Sequence, residues 1–440
     1  MSKYIRMSKY IRMPKHLYRK PGARHRQKEE VMSKYPIGFW NYTPVGMLGP
    51  EAVKDWTDLG MNMALSPEFP EGADPALMLP LLDACAEAGV KVIMSDRRAR
   101  WYGAAKEPEK YRERFAAALA DFGSHPAVMG FHVGDEPTNE ESFADCITSH
   151  RIQLEMAPHL TPHLNFLPYW KGIEQSILKA PTFADWAKSM VEKADLRILC
   201  YDCYCQMNPN DEGVDQYFTN LRKFAEAAEA AGIEPWTTLL SVGHFRYRVP
   251  NEDDFRWQIN TAAACGMRGI LWFFIYMREP HSNYRLAPID EFGERSETFE
   301  RLSRVNRHFA HHFGDFFMEA KHLGTFCTVT AYGGYPLFED GVTDPALRKI
   351  TCPHNLPAIV SFFEREGRRH VAVVNNSTRE SGQFRLHFAK DHPVLERFNW
   401  NHSYSPIRHY HHDAFWNETD TEIIGGDWLA PGEMKVYRIS

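Results

Sequence analysis

The stretch Gly134-Asp135-Glu136-Pro137 places two carboxyls side by side directly after the apolar run 128–133. Adjacent carboxyls repel each other's charge, and the like charge of Asp135 raises the pKa expected of Glu136. That suits a group which must still hold a proton near neutral pH. Pro137 stops the extended run at the pair, because the residue before a proline is disfavoured in helix and the proline has no N–H to give. A raised carboxylic acid can protonate a leaving oxygen, as glycosidic bond cleavage requires. Capping of the next helix near Thr138 is the competing role for Asp135 and Glu136.

Glycoside cleavage also uses a second carboxyl as nucleophile or base. Three residues are candidates. Asp202 directly follows the run 197–201, Glu279 follows the run 269–276, and Asp96 follows the run 91–95. Each has a plainer role open to it: a hydrogen bond to a sugar hydroxyl for Asp202, a loop ion pair with Arg278 or Arg285 for Glu279, and pairing with Arg97 or Arg98 for Asp96. Trp40, Trp101, Tyr102, Trp170 and Phe245 are candidates to stack on sugar rings, with packing under loops as the alternative. His244 is a candidate to bind a hydroxyl or orient a carboxylate, or else a satisfied core histidine. Asn165, Tyr201 and Trp272 stand at the ends of apolar runs beside these residues.

The elements that position these groups alternate regularly. Short apolar runs at 37–42, 61–66, 91–95, 128–133, 163–167, 197–201, 236–241 and 269–276 read as strands. Amphipathic stretches at 76–88, 111–122, 142–156, 183–193, 214–231, 252–265 and 297–313 read as helices. Gly60, Gly89, Gly232 and Gly266 close helices just before strands, the position where a left-handed residue is needed. Eight strands with intervening helices imply a parallel sheet closed into a (β/α)8 TIM barrel. The other arrangement, a doubly wound sheet, would carry a Gly-rich phosphate turn after its first strand. The residues there are Thr43-Pro44-Val45-Gly46-Met47. Beyond residue 319 the apolar period falls to two, and short strands at 324–332, 359–363, 371–375, 383–388 and 434–439 predict a C-terminal β-sandwich domain. The expected division is a basic disordered leader over 1–34, a catalytic barrel over 35–318 and a sandwich over 319–440.

In such a barrel the chemistry gathers at the C-terminal ends of the strands. That rim is aromatic and acidic. It lacks a strand-end lysine for a Schiff base, a His-x-His pair for a metal-dependent amidohydrolase, and a Gly-rich phosphate cradle after strands seven and eight. With 51 Lys and Arg against 57 Asp and Glu, the net charge of −6 gives no electrostatic case for nucleic acid or an anionic membrane. No apolar run has the ~18 residues of a membrane span. The eight cysteines fall mostly within strand and helix patterns, where a reduced thiol acts as a small hydrophobe. Cys203 and Cys205 share a strand face with Cys200 on the other, and no second Cys/His pair follows at zinc spacing. No metal or cofactor is expected. The segment MSKYIR occurs at Met1 and at Met7, and MSKY again at Met32, without the apolar middle of a secretory signal. A cytoplasmic location is the expectation.

The chain resembles clan A glycoside hydrolases, retaining barrel enzymes whose general acid/base Glu ends strand four, commonly as Asn-Glu-Pro. Asp135-Glu136-Pro137 matches that motif here. Members often carry a Tyr near the end of strand six and a Trp on strand eight, places that Tyr201 and Trp272 fill. The segment from Gly243 to Tyr276 also looks like uncharacterised bacterial barrel hydrolases with a Gly-Asp-Glu-Pro motif. One departure stands out: clan A members place a nucleophilic Glu at the end of strand seven, where this chain reads Leu239-Leu240-Ser241-Val242-Gly243-His244. The resemblance implies a glycosidase acting on a carbohydrate substrate with Glu136 as acid/base, and leaves the second carboxyl among Asp202, Glu279 and Asp96. A non-catalytic carbohydrate-binding barrel, or a barrel lyase or metal-assisted hydrolase, is the alternative.

Overall fold

The computed structural model describes residues 34–278, 283–391, 395–413, 415–418 and 421–439. The expected leader lies outside them, apart from Lys34. Eight parallel strands follow one another in a single sheet: β1 Ile37–Phe39, β2 Met63–Leu65, β3 Lys91–Met94, β4 Val128–Asp135, β5 His163–Phe166, β6 Ile198–Asp202, β7 Glu234–Leu240 and β8 Gly269–Phe273. From β2 onward each strand pairs with the next in sequence, and β8 returns to pair with β1. The remaining seam, between β1 and β2, is closed by Asn62. Its backbone N–H donates to the Ile37 carbonyl, while its side chain accepts from the Ile37 N–H and donates to the Tyr35 carbonyl. The chain is a TIM barrel followed by a β-sandwich.

Helices α1 Ala52–Asp58, α2 Leu79–Ala88, α3 Pro108–Phe122, α4 Glu140–Met156, α5 Phe183–Ala194, α6 Val214–Ala231, α7 Glu252–Ala264 and α8 Glu297–Phe309 lie between and after the strands. Side-chain caps fix the starts of α4, α5 and α7. Asn139 accepts from the Ser142 N–H, Asn251 from the Asp254 N–H and Thr182 from the Asp185 N–H. Gly89 and Gly232 end α2 and α6 in the left-handed conformation. The short helix α9 Asp315–Glu319 leads into the sandwich.

Antiparallel strands β9 Lys321–Cys327, β10 Leu347–Thr351, β11 Ala358–Arg365, β12 Arg368–Asn375, β13 Gly382–Ala389, β14 Leu395–Phe398, β15 Tyr404–Pro406, β16 Glu422–Leu429 and β17 Met434–Ile439 form two sheets. One has the order β10-β13-β16 and the other β15-β14-β17-β12-β11-β9. Phe384, Leu386 and Phe388 of the smaller sheet share one core with Val360, Val371, Val373 and Tyr437 of the larger. Strand β16 escaped the sequence reading because Gly425 and Gly426 resemble a turn. They are instead places of close approach: a Cβ at Gly426 would overlap the Phe384 carbonyl, and one at Gly425 would overlap Ile407.

The sandwich is tied to α7 of the barrel. Trp257 Nε1 donates to Asn376 Oδ1 at 2.7 Å, Asn260 donates to the Gly432 carbonyl at 2.8 Å, and Arg256 donates to the Pro431 carbonyl at 2.6 Å. Gly432 has φ +66°, and an added Cβ would sit 2.5 Å from the Trp257 nitrogen. Gly432→Ala therefore combines left-handed strain with a backbone clash. It should lower stability by roughly 2–4 kcal/mol, read as a shift in the urea midpoint without loss of cooperativity. An unchanged midpoint would show that this junction does not hold the two parts together.

Candidate active site

Strand β4 carries its acidic pair past the rim because the ladder slips between His132 and Gly134, where β4 meets β5. Glu136 then takes a left-handed conformation, φ 49°, fixed by its N–H donating to the Asn165 carbonyl at 2.9 Å. A bulky residue in that region is a strained one, and strain of this kind concentrates at functional positions. Asn165, at the inner face of β5, donates from one amide nitrogen to Asp135 Oδ1 at 3.0 Å and to Asp202 Oδ1 at 2.7 Å. Its own oxygen accepts from the Cys200 thiol at 3.4 Å. The side chains of Glu136 and Asp202 are hydrogen-bonded to each other. One amide and one carboxyl–carboxyl bond thus join the ends of strands β4, β5 and β6.

The electrostatics follow from that crowding. Burial, with repulsion from Asp135, pushes the Glu136 carboxyl up to about 7, against the hydrogen bond to Asp202. Burial raises Asp202 well above the usual carboxylate range, and repulsion from Glu136 and Asp135 adds to it. Asp135 meets solvent at the mouth, yet the protein packed around it still raises its carboxyl, opposed by the Asn165 hydrogen bond and by Arg100. Two acids in hydrogen-bond contact titrate as a pair and hold one proton between them near neutrality.

Period two along the strands sorts the remaining candidates. Trp40 points inward, its Nε1 donating to Thr238 at 3.1 Å, and lies under Tyr42 as part of the floor. Trp101 covers Gly134, where any side chain would overlap its ring. His244 is buried among Tyr204, Phe245, Tyr247, Phe273 and Tyr284, and burial lowers its pKa. Tyr102, Trp170 and Phe245 are exposed.

Three expected site residues stand elsewhere. Tyr201 alternates with the inward Cys200 and Asp202, so it points outward and stacks on Phe224 of α6 at 3.9 Å between centroids. Trp272 also points outward, donating to Asn306 of α8 at 3.0 Å and packing edge-on against Phe255 of α7. Both are fully buried, so neither reaches substrate. Asp96 is closed off as well: both its oxygens accept from the Arg98 guanidinium, and it caps the turn Arg97–Ala99. Glu279 lies outside the described residues.

Other aromatic and charged residues lie close to the acid cluster instead. Tyr204 and Phe273 lie 5.0 Å apart between ring centroids, and Tyr42 packs edge-on against Phe273 at 6.0 Å. Asp202, Asp135 and Glu136 all raise the Tyr204 phenol further above its burial-raised value. Arg100 lies beside Asp135 and donates to Ser95 Oγ at 3.2 Å. The signal for Phe273 and Tyr204 was the alternation itself, which excludes Trp272 and Tyr201 once the inward face of each strand is fixed. Arg100 was hidden in a run of arginines, of which Arg98 is spent on Asp96. Beneath the rim, His132 and His163 share a proton between Nδ1 atoms 3.0 Å apart, and burial keeps both neutral, His163 down to about 3. Among the described residues no group of three or more His, Cys, Asp or Glu is placed to hold a metal ion.

No family model and no curated protein matches the chain. A solved family 39 glycoside hydrolase from the gut symbiont Bacteroides cellulosilyticus WH2 aligns over 93% of this chain and 81% of its own, with TM-score 0.52 and 10% identity. The two chains share a fold. A β-galactosidase from the psychrophilic Marinomonas ef1 aligns over 62% of this chain with TM-score 0.48 and 11% identity, and this chain spans 59% of its length. A glucosidase from Croceicoccus marinus aligns over 91% of this chain and 95% of its own, with TM-score 0.44 and 11% identity.

The acid cluster should cost stability. Folded Glu136 keeps its proton up to about pH 7, while the unfolded chain releases it near the ordinary value of 4.5. The native state therefore binds more protons between those values, and its stability falls as pH rises through them. Glu136→Gln and Asp202→Asn should each stabilise the protein by roughly 1–3 kcal/mol at pH 8 and flatten that slope. Urea titrations at pH 5 and pH 8 measure it; a variant less stable at pH 8 than the parent contradicts the shared-proton pair.

Proposed function

We propose that this protein is a glycosidase acting on a carbohydrate substrate, with Glu136 as general acid/base and Asp202 as the second carboxyl. The observation that supports this reading best is the hydrogen-bonded Glu136–Asp202 pair at the C-terminal mouth of the barrel, with Glu136 raised to about 7. When Glu136 holds the shared proton, it can pass it to the departing glycosidic oxygen, and Asp202 is left as a carboxylate. Asn165 donates to Oδ1 of Asp202 and so fixes the orientation of that carboxyl. Inverting enzymes separate their carboxyls by about 6.5–9.5 Å to fit a water, and retaining ones by about 5–5.5 Å. A pair in direct contact favours the closer arrangement, with Asp202 attacking the anomeric carbon and the configuration retained. Asp135 and Asp202 add negative charge beside the oxocarbenium-like transition state, while Tyr42, Tyr204 and Phe273 supply apolar faces for the ring. The fold shared with a family 39 glycoside hydrolase is consistent with this chemistry.

Glu136→Gln should reduce cleavage of aryl glycosides by about 10²–10⁴-fold while leaving the fold intact. In the parent, kcat/KM should fall as pH rises through about 7, because the acid loses its proton there. Product stereochemistry followed by NMR should show retention. Full activity in Glu136→Gln, or an alkaline limb unchanged by it, removes the acid role. Sugar binding without product over long incubation would instead favour a carbohydrate-binding barrel.

A second contrast checks which tyrosine belongs to the site. Tyr204→Phe should lower kcat by about tenfold, whereas Tyr201→Phe should leave kcat and KM within about twofold. The opposite pattern would mean that the inward face of β6 has been assigned wrongly.

A further inference from the structure

Immediately after Asp202 the chain reads Cys203-Tyr204-Cys205, and the two sulfurs lie 3.1 Å apart. Two unbonded sulfurs are rarely that close, and closing them to the ~2.04 Å of a disulfide needs a movement of only about 1 Å. Cys203 is buried, and Cys205 is partly open to solvent. The Cys205 sulfur also lies 3.4 Å from the Gly213 carbonyl, and Gly213 packs so tightly on the Cys205 backbone that no side chain fits there. Of the eight cysteines, Cys205 alone is not fully buried. Its thiol is lowered from the ordinary value, chiefly by the hydrogen bond with Cys203, while Cys203 is raised by the same bond. A lowered, accessible thiol with a second thiol in contact is the arrangement that thiol–disulfide exchange requires.

We propose that Cys203 and Cys205 form a redox pair that a small-molecule disulfide closes into a disulfide, displacing Tyr204 and Asp202 and switching the site off. Cys205, as thiolate, attacks one sulfur of the oxidant, such as oxidised glutathione, and expels one thiolate. Cys203 gives up its proton and attacks the Cys205 sulfur, expelling the second. One S–S bond breaks in the oxidant and one forms in the protein, and two electrons and two protons pass to the oxidant as two thiols. Tyr204 is the residue enclosed by the new ring, and it packs on Phe273 and His244 at the mouth. Asp202 is bonded to the chain on the other side of Cys203, so the Glu136–Asp202 contact moves with it. The switch rests on the proposed glycosidase reading; formation of the disulfide does not.

The test exposes the full chain to oxidised glutathione, then maps alkylated peptides by mass and follows aryl-glycoside turnover. Carboxyl 13C NMR on labelled Asp and Glu runs in parallel. The expected result is a Cys203–Cys205 peptide lighter by two hydrogens, a displaced Asp202 resonance, and turnover reduced at least tenfold and restored by dithiothreitol. C205S, which lacks the attacking thiol, should keep its own untreated turnover under the same oxidant, and C203S should stop at one glutathione on Cys205 with no internal disulfide. Full alkylation of both cysteines after exposure overturns the pair. A disulfide that leaves both Asp202 and turnover unchanged overturns the switch, and so does equal inactivation of C205S. A reduced parent that cleaves no glycoside counts against the hydrolase reading alone, because the mass map and the Asp202 resonance still decide the redox pair.

Discussion

Three carboxyls confined to one barrel mouth cannot all be ionised, and the structure is arranged around that repulsion. Asn165 separates two of the charges by donating to both, Arg100 offsets Asp135, and Glu136 and Asp202 relieve the remainder by sharing a proton. An isolated carboxylate in such surroundings would give up its charge. A proton held at about neutral pH on a strained residue at a strand end is a costly feature for stability and a useful one for acid catalysis.

The rest of the fold holds this cluster in place. Parallel strands with helices outside direct every second side chain into the barrel, so β4, β5 and β6 deliver their carboxyls and amide to one point. The slip in the β4–β5 ladder sets how far Asp135 and Glu136 project past the rim. Below them, the buried His132–His163 pair and the Trp40–Thr238 hydrogen bond fill the interior with neutral groups. Beyond them, α7 anchors the sandwich through Trp257, Asn260 and Arg256.

The barrel was legible in the sequence because fully apolar strands and glycine helix ends are local signals, and the sandwich because its strands have period two. The position of Glu136 and Asp202 at the barrel mouth was legible because the C-terminal end of a barrel strand points there. Tyr201 and Trp272 were misplaced because a one-residue shift along a strand reverses the face, and another aromatic residue, Tyr204 or Phe273, stands close by in each segment. Asp96 was misplaced because only the folded chain shows Arg98 turned back on it. Strand β16 was missed because two glycines that admit a neighbouring backbone look the same in sequence as two that make a turn. The Cys203–Cys205 approach was half visible: their shared side was read from the spacing, but the sulfur contact depends on the chain leaving the strand at Asp202.

The most direct measurement is a carboxyl 13C NMR titration of the protein labelled at Asp and Glu, with Glu136→Gln for assignment. The shared-proton account predicts one resonance that titrates near pH 7, is absent in the variant and moves together with Asp202. A protein whose carboxyls all titrate below about pH 5 would contradict it, since Glu136 would then hold no proton to give.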